Sequence, residues 1–221
     1  MIQSAAPRFA TVILDVDSTL CAIEGIDWLA GRRGHDVARR VAELTDRAMR
    51  GELALESVYS ERLAMVRPRR EDVDALGHAY IETIADGAVD AVQSWRSRGV
   101  AVIVLSSALR HSVLRVAQHI GLGADEVHAV DVKFDAIGAY RAFDRSSPLT
   151  TTTGKRDIVA TLDLARPIIA VGDGSTDLAI RGTAEAFAAF TGFVSRPQVA
   201  ENADYIVRSF DELTAIVLGN S

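Results

Sequence analysis

Polar residues that could take part in catalysis directly follow the three most apolar runs of the sequence. The run FATVIL is followed by DVDST at 15–19, and the run VAVIVL is followed by Ser106 and Ser107. The run IIAV is followed by GDGSTD at 172–177, and Lys155 precedes that run at a predicted helix start. Carboxylates, hydroxyls and an ammonium group together are suited to holding a metal ion and a phosphate.

These residue types predict covalent phosphoryl transfer. Asp15 and Asp173, with a nearby backbone carbonyl, are hard oxygen ligands suited to Mg²⁺. The cation would let an ionised Asp15 approach a phosphate and form an aspartyl-phosphate, while a protonated Asp17 donates to the leaving oxygen. Lys155 and the Ser106 hydroxyl would hold phosphoryl oxygens. The alternative is that the first two aspartates only cap a helix, although two carboxylates at a buried strand end repel each other without a cation.

The elements that must position these residues form an α/β pattern. The apolar runs are continuous rather than alternating, which is typical of parallel strands covered on both faces. We predict a doubly wound, Rossmann-like parallel sheet, in which ligands bind beyond the carboxyl ends of the strands. The predicted strands are 9–14, 100–105, 127–130, 168–171, 186–190 and 205–207, the last at an edge, and the predicted helices are 86–98, 109–120, 155–164 and 211–218.

A long helical insertion interrupts this alternation after the first strand. Apolar residues recur at helical spacing in 37–50, 55–66 and 69–84, and an unstructured loop of that length is uncommon in a compact domain. We therefore expect a helical cap at 22–84 and a catalytic core made of 1–21 and 85–221. A β-hairpin is predicted within 131–143.

Composition narrows the class of protein. The chain has 221 residues, of which 48% are apolar, and a net charge of −6. A single cysteine, Cys21, excludes a disulfide framework and a cysteine zinc cluster, and the acidic balance argues against nucleic acid or an anionic membrane as partner. The apolar runs are too short to span a membrane, and the N-terminus reads as a short tail ending near Pro7 without signal-peptide features. We expect a cytoplasmic protein, a monomer or homodimer.

The motifs resemble those of a known family. DVDST, Ser106, Lys155 and GDGSTD, in this order, are similar to the four motifs of the haloacid dehalogenase superfamily of phosphatases, over about Thr11 to Asp177. The helical insertion resembles the cap of the phosphoserine phosphatase branch, notably at 24–27 and 44–63. The resemblance implies a phosphatase with a Rossmann-like core and a helical cap.

The resemblance also implies roles for the matched core residues. Asp15 would be the nucleophile, and Asp17 would be the general acid and then the general base. Asp15, the backbone carbonyl of Asp17 and Asp173 would bind Mg²⁺. Asp177 would support that metal site and help to anchor Lys155.

Substrate contacts are implied in the same way. Ser106 and Lys155 would hold the phosphate. Glu24 and Arg62 match the cap positions that recognise the amino and carboxylate groups of phosphoserine in that branch. Their opposite charges suit an amino-acid zwitterion.

Three positions depart from the family pattern. Ser107 stands where the family usually has glycine, and Thr176 stands where it usually has asparagine; both are still predicted to bind substrate. Leu55 takes the place of a cap aromatic that normally covers the substrate. These changes keep the phosphatase chemistry and bear mainly on substrate choice.

We therefore expect a Mg²⁺-dependent phosphomonoester hydrolase with O-phosphoserine as the best single substrate, which would place it in serine biosynthesis. The alternatives are a phosphatase for another small phosphorylated metabolite, or a phosphotransferase that passes the phosphoryl group to a second hydroxyl. A signalling receiver domain also uses an acidic pair, a phosphorylated aspartate and a lysine. The helical insertion, the DVDST turn and the chain length disfavour it.

Overall fold

The computed structural model describes residues 6–219 and contains a six-stranded, fully parallel sheet in the order β3-β2-β1-β6-β7-β8. Helices lie on both sides of this sheet, which confirms the predicted doubly wound fold. Most of the predicted N-terminal tail, and the ends of the predicted core at 1–5 and 220–221, lie outside the described residues. The strands are β1 (Thr11–Leu14), β2 (Ala101–Leu109), β3 (Val127–Val130), β4 (Val132–Phe134), β5 (Tyr140–Phe143), β6 (Ile168–Gly172), β7 (Ala186–Phe190) and β8 (Tyr205–Val207).

The helices connect the parallel strands and cover their apolar side chains. The helices are α1 (Gly25–Gly31), α2 (His35–Met49), α3 (Leu55–Val66), α4 (Arg70–Glu82), α5 (Ala88–Ser97), α6 (Arg110–His119), α7 (Gly154–Val159), α8 (Ser175–Leu178), α9 (Pro197–Ala200) and α10 (Phe210–Leu218). Helices α5 and α10 pack against each other, whereas α6 packs on β2, β3 and α4. Among residues 6–219, the helices are too short or too polar to cross a bilayer.

Four helices, α1 to α4, occupy the segment between β1 and α5, where the helical insertion is predicted. In α2, Val41, Leu44 and Ala48 are buried at spacings of three and four residues, so one stripe of the helix faces α1 and α3. Helix α4 packs on α6, and the buried side chains of the segment continue into those of the sheet. The division into a core of 1–21 and 85–221 and a cap of 22–84 stays a prediction.

The β-hairpin predicted within 131–143 is also present. Strands β4 and β5 pair antiparallel, with Val132 opposite Phe143. Gly138, with φ of +79°, lies in the turn, where its missing side chain permits that conformation.

Several element boundaries differ from the predictions. Strand β2 continues past residue 105 to Leu109, with an irregular register against β3, so the two serines lie within it rather than after it. Helix α7 ends at Val159 instead of 164, because Thr161 and Leu162 donate backbone hydrogen bonds three residues back and tighten the last turn. Helix α1 was not predicted; it has only seven residues, too few for a clear apolar period.

Candidate active site

The pocket lies at the carboxyl ends of the three central strands. Strand β1 is flanked by β2 and β6, with Leu14 opposite Val104 on one side and Val171 on the other. The polar residues after β1 and β6 and those late in β2 are therefore brought together, as the strand-end rule predicts. The pocket is lined by Asp15, Asp17, Glu24, Ile26, Met49, Arg62, Ser106, Ser107, Lys155, Asp173 and Thr176. Every predicted site residue except Asp177 lines it.

The turn after β1 is shaped to project its two aspartates. Ser18 adopts a φ of +53°, an uncommon left-handed conformation for a residue with a side chain. Its backbone N–H donates to Ile23 O at 3.3 Å, and its hydroxyl donates to Glu24 at 2.8 Å. The turn thus fixes Asp15 and Asp17 at the strand end and ties Glu24 to them.

A buried lysine joins two of the carboxylates. Lys155 Nζ lies 2.6 Å from Asp15 Oδ1 and 2.6 Å from Asp177 Oδ1, and all three residues are buried. Burial alone would lower the pKa of Lys155, but the two carboxylates outweigh it and raise the pKa. Burial and the charge of Asp15 raise the pKa of Asp177 to about 7. The lysine is therefore a permanent cation next to the predicted nucleophile.

The residues after β6 add a third carboxylate. Oxygens of Asp15, Asp173 and Asp177 lie within 4.8 Å of one another. Asp177 approaches closely because residue 172 is glycine: a Cβ there would lie 2.1 Å from Asp177 Cγ. Asp173 accepts a hydrogen bond from Thr19 at 3.3 Å on Oδ1, whereas its buried Oδ2 forms an ion pair with Arg196. This set of oxygen donors fits a hard divalent cation.

Asp17 occupies a largely buried position between two other acids. Burial, then the charges of Glu24 and Asp15, raises its pKa well above the ordinary value. Its carboxyl group accepts hydrogen bonds from the Tyr80 hydroxyl and the backbone N–H of Gly25. A carboxyl group that stays protonated beside an ionised one is suited to act as a general acid.

The predicted phosphate-binding residues surround the same cluster. Ser106 is buried, and its hydroxyl accepts a hydrogen bond from the backbone N–H of Ala108 at 3.1 Å. The Ser107 hydroxyl is buried without a partner, and its carbonyl accepts from Tyr59 at 2.8 Å. Thr176 is buried in α8. The unpartnered Ser107 hydroxyl is free to bind an incoming oxygen atom.

Arg62 is held in the pocket through a chain of polar contacts. Its Nη1 donates to Thr45 Oγ1 at 2.9 Å, and that hydroxyl donates to Asp27 Oδ1 at 2.5 Å. Its guanidinium group also lies over the ring of Tyr59, at 5.6 Å. The buried Nε atom has no partner, which leaves one donor of Arg62 available.

Arg196 joins the core to the cap segment and was not identified from the sequence. Its guanidinium group forms an ion pair with Asp173 and lies 3.5 Å from Glu24. It is buried, in the loop between β7 and α9. Its position after the predicted strand 186–190 is the signal that could have identified it, because the carboxyl end of that strand lies on the same side of the sheet as the pocket.

Leu55, which stands where the family has a cap aromatic, lies outside the pocket. It is buried and its backbone N–H donates to Thr152, but it does not line the pocket. Ile26 and Met49 supply the apolar lining instead. They come from α1 and from the last residue of α2, which the sequence prediction did not associate with the site.

Comparisons with known proteins agree with this geometry. Haloacid dehalogenase-like hydrolases match residues 12–180. A phosphoserine phosphatase from Homo sapiens is 36% identical over 205 residues, which cover 91% of this chain and 90% of that protein.

Solved structures share the fold. A phosphoserine phosphohydrolase-like protein from Francisella tularensis superposes with a TM-score of 0.86 at 23% identity, over 94% of this chain and 99% of that one. A phospho-aspartyl intermediate analogue of phosphoserine phosphatase gives a TM-score of 0.81 at 24% identity, over 94% and 98% of the two chains. The family match over residues 12–180 and the human relative confirm the resemblance inferred from the motifs: this chain belongs to the haloacid dehalogenase-like hydrolases.

Proposed function

We propose that this phosphoric monoester hydrolase removes the phosphate from O-phosphoserine through an aspartyl-phosphate on Asp15, with Mg²⁺ bound. The observation that carries the proposal is that two sets of residues line the same pocket. Asp15, Asp17 and Lys155 suit phosphoryl transfer, and Glu24 and Arg62 suit an amino-acid zwitterion. The human relative named above is a phosphoserine phosphatase.

Mg²⁺ would be held by the carboxylates of Asp15 and Asp173 and the backbone carbonyl of Asp17. The purely oxygen donor set of the clustered carboxylates suits this ion, which would take the place of Arg196 at Asp173 Oδ2. When bound, the metal neutralises negative charge shared by the phosphate and its ligands. Asp177 does not line the pocket; it contributes indirectly, through its ion pair with Lys155.

The chain supplies the nucleophile and the proton. An oxygen of Asp15 forms a bond to phosphorus while the bond from phosphorus to the serine oxygen breaks, and Asp17 gives its proton to that oxygen. In the second step Asp17 takes a proton from water, the water oxygen bonds to phosphorus, and the bond to Asp15 breaks. The products are serine and inorganic phosphate, and both aspartates return to their starting states.

The phosphoryl oxygens are held by neighbouring donors. Lys155 Nζ uses two of its three hydrogens on Asp15 and Asp177, so a third remains for a phosphoryl oxygen. The hydroxyls of Ser106, Ser107 and Thr176 supply further donors in the pocket. These donors stabilise charge that increases on the oxygens in the transition state.

The cap residues would select the amino acid. Arg62, with a free Nε donor, would bind the carboxylate of the substrate, and Glu24 would bind its ammonium group. A substrate that lacks the carboxylate loses a charge-assisted hydrogen bond, and the buried Arg62 is then left with that donor unpaired. Specificity for phosphoserine therefore depends on this pair.

Two alternatives share the same chemistry. Ser107 and Thr176 narrow the pocket differently from glycine and asparagine, which is compatible with another small phosphorylated metabolite. In a phosphotransferase, a second hydroxyl compound would take the place of water in the second step. A cytoplasmic location and a monomeric or homodimeric state stay predictions, to be tested by cell fractionation and by size-exclusion chromatography with light scattering.

Phosphate release from a panel of substrates tests the proposal. The panel comprises phosphoserine, phosphothreonine, phosphoethanolamine, sugar phosphates and p-nitrophenyl phosphate, each with Mg²⁺. We expect the highest kcat/KM for phosphoserine, a mass increment of one phosphoryl group on rapidly quenched enzyme, and loss of both in Asp15→Asn. A higher kcat/KM for a sugar phosphate would contradict the substrate assignment, and full activity of Asp15→Asn would contradict the covalent mechanism.

A further inference from the structure

A tyrosine from helix α4 contacts the predicted general acid. Tyr80 is fully buried, and its hydroxyl lies 2.5 Å from Asp17 Oδ1, to which it donates a hydrogen bond. A phenol hydroxyl carries its hydrogen at neutral pH and so serves as the donor in this contact.

The fit between this hydroxyl and the start of helix α1 is close. A Cβ atom at Gly25 would lie 2.0 Å from Tyr80 Oη, so that only glycine leaves room for the hydroxyl. The backbone N–H of Gly25 donates to the same Asp17 carboxyl group. Two elements that are distant in sequence thus meet at one carboxyl group.

The contact decides which oxygen of Asp17 carries the proton. Oδ1 accepts the hydrogen bond from Tyr80, and a proton placed on that atom would compete with the tyrosine hydrogen for the same side of the carboxyl group. The proton is therefore favoured on Oδ2. The hydrogen bond also removes rotational freedom from the carboxyl group, which otherwise has to be lost in the transition state.

We propose that Tyr80 is a positioning residue that holds Asp17 by Oδ1, so that Oδ2 delivers its proton to the leaving oxygen. As the bond from phosphorus to that oxygen breaks, the proton moves from Oδ2 to the oxygen, and the resulting carboxylate keeps the Tyr80 hydrogen bond. This inference rests on the proposed role of Asp17. It extends that role to a residue of the helical segment that lies outside the four sequence motifs.

The leaving group distinguishes a positioning role from a structural one. The serine oxygen of phosphoserine is a poor leaving group and needs a proton, whereas p-nitrophenolate leaves without one. The quantity to compare is kcat/KM, because it reports the steps up to release of the alcohol and excludes hydrolysis of the aspartyl-phosphate. A positioning role therefore predicts a loss confined to the substrate that needs the proton.

The experiment uses Tyr80→Phe in the complete enzyme with Mg²⁺. We expect kcat/KM for phosphoserine to fall about 10-fold, a fraction of the 10²–10⁴ that a general acid contributes, and kcat/KM for p-nitrophenyl phosphate to change less than about 2-fold. An equal loss on both substrates, or no loss on either, would overturn the inference. Tyr140→Phe in the β-hairpin is the matched control, since its ring packs outside the pocket.

A double-mutant cycle with Asp17→Asn makes the test specific. An amide at position 17 has no acidic proton to deliver, so Tyr80→Phe should cause no further change in the ratio of the two kcat/KM values. A further 10-fold change in that background would overturn the inference. Gly25→Ala offers a second route, because its methyl group displaces the Tyr80 hydroxyl while the backbone N–H is kept; the same selective loss is expected.

Failure of the proposed substrate is distinguishable from failure of this inference. If the unmodified enzyme prefers another alkyl phosphate, such as phosphoethanolamine, the same comparison is made with that substrate against p-nitrophenyl phosphate. The selective loss in Tyr80→Phe is expected in either case, because the leaving oxygens of phosphoserine and of phosphoethanolamine both need the proton.

Discussion

The Nζ atom of Lys155 lies 2.6 Å from a carboxylate oxygen of Asp15 and at the same distance from one of Asp177. The lysine therefore stabilises two buried carboxylates besides its proposed contact with phosphate. Removing one partner of a buried ion pair leaves the other charges uncompensated, which is strongly destabilising.

Lys155→Met should accordingly lower both activity and stability. We expect the free energy of unfolding in urea to fall by about 3 kcal/mol, since Asp15 and Asp177 lose their common counter-ion. Lys155→Met combined with Asp177→Asn should recover part of that stability but none of the activity. Lys133→Met, at an exposed lysine of β4, is the control and should leave both unchanged. Unchanged stability of Lys155→Met would contradict the structural role.

The stability of the protein should depend on pH through Asp27. Burial raises the pKa of Asp27 from 3.8 to about 6, even though the Thr45 hydroxyl donates to it. The native state then holds this proton up to about pH 6, whereas the unfolded chain releases it near pH 3.8. The stabilisation is complete below pH 3.8 and is lost as the pH rises through about 6.

Asp27→Asn removes this titration while keeping a hydrogen-bond acceptor for Thr45. We expect the decrease in unfolding free energy between pH 4 and pH 7 to be smaller in the variant by about 2–3 kcal/mol. Asp36→Asn, at an exposed residue of α2, should keep the decrease found in the unmodified protein. Urea titrations at several pH values measure it, and identical pH profiles for Asp27→Asn and the unmodified protein would disprove the expectation.

Arg62 should control recognition of the substrate carboxylate. We expect Arg62→Ala to raise KM for phosphoserine about 30-fold, as for the loss of a charge-assisted hydrogen bond, and to leave KM for phosphoethanolamine nearly unchanged. Thr45→Val, which removes only the support of Arg62, should raise KM for phosphoserine by a smaller factor. Arg39→Ala on the exposed side of α2 is the control. Equal changes for both substrates would refute the assignment.

Metal binding should be visible without any substrate. Chelation by EDTA should abolish phosphate release, and added Mg²⁺ should restore it. Mg²⁺ should also raise the midpoint of thermal unfolding, because the ion binds the native carboxylates and not the unfolded chain. Asp173→Asn should remove most of that increase. An equal increase in Asp173→Asn would show that the ion binds elsewhere.

The fold and most of the site are predictable from local patterns. Continuous apolar runs identify the parallel strands, and the rule that ligands bind beyond the strand ends selects Asp15, Ser106 and Asp173 together. Lys155 is predictable because a lysine at a helix start is unfavourable unless it has a partner. Each of these signals is local in the sequence, and the parallel sheet brings the residues that carry them close together.

The remaining site residues are placed by tertiary contacts that the periodic patterns of the sequence do not indicate. Tyr80 reaches Asp17 across 63 positions and Thr45 supports Arg62 across 17, yet each side chain reads in the sequence as an ordinary helix residue. Leu55, which matches the position of the family's cap aromatic, lies outside the pocket, because a matched position does not specify which face of α3 meets it. Only the packing of α1 to α4 on the core determines these contacts.

Arg196 has a thermodynamic consequence for the order of binding. Its guanidinium group is shared between Asp173, which would bind the metal, and Glu24, which would bind the substrate ammonium group. Each ligand has to displace Arg196 from one of these acids, and the guanidinium group is then left wholly to the other acid, which makes the second displacement harder. Through Arg196, metal and substrate are therefore expected to bind with negative linkage, each decreasing the affinity for the other by the same factor.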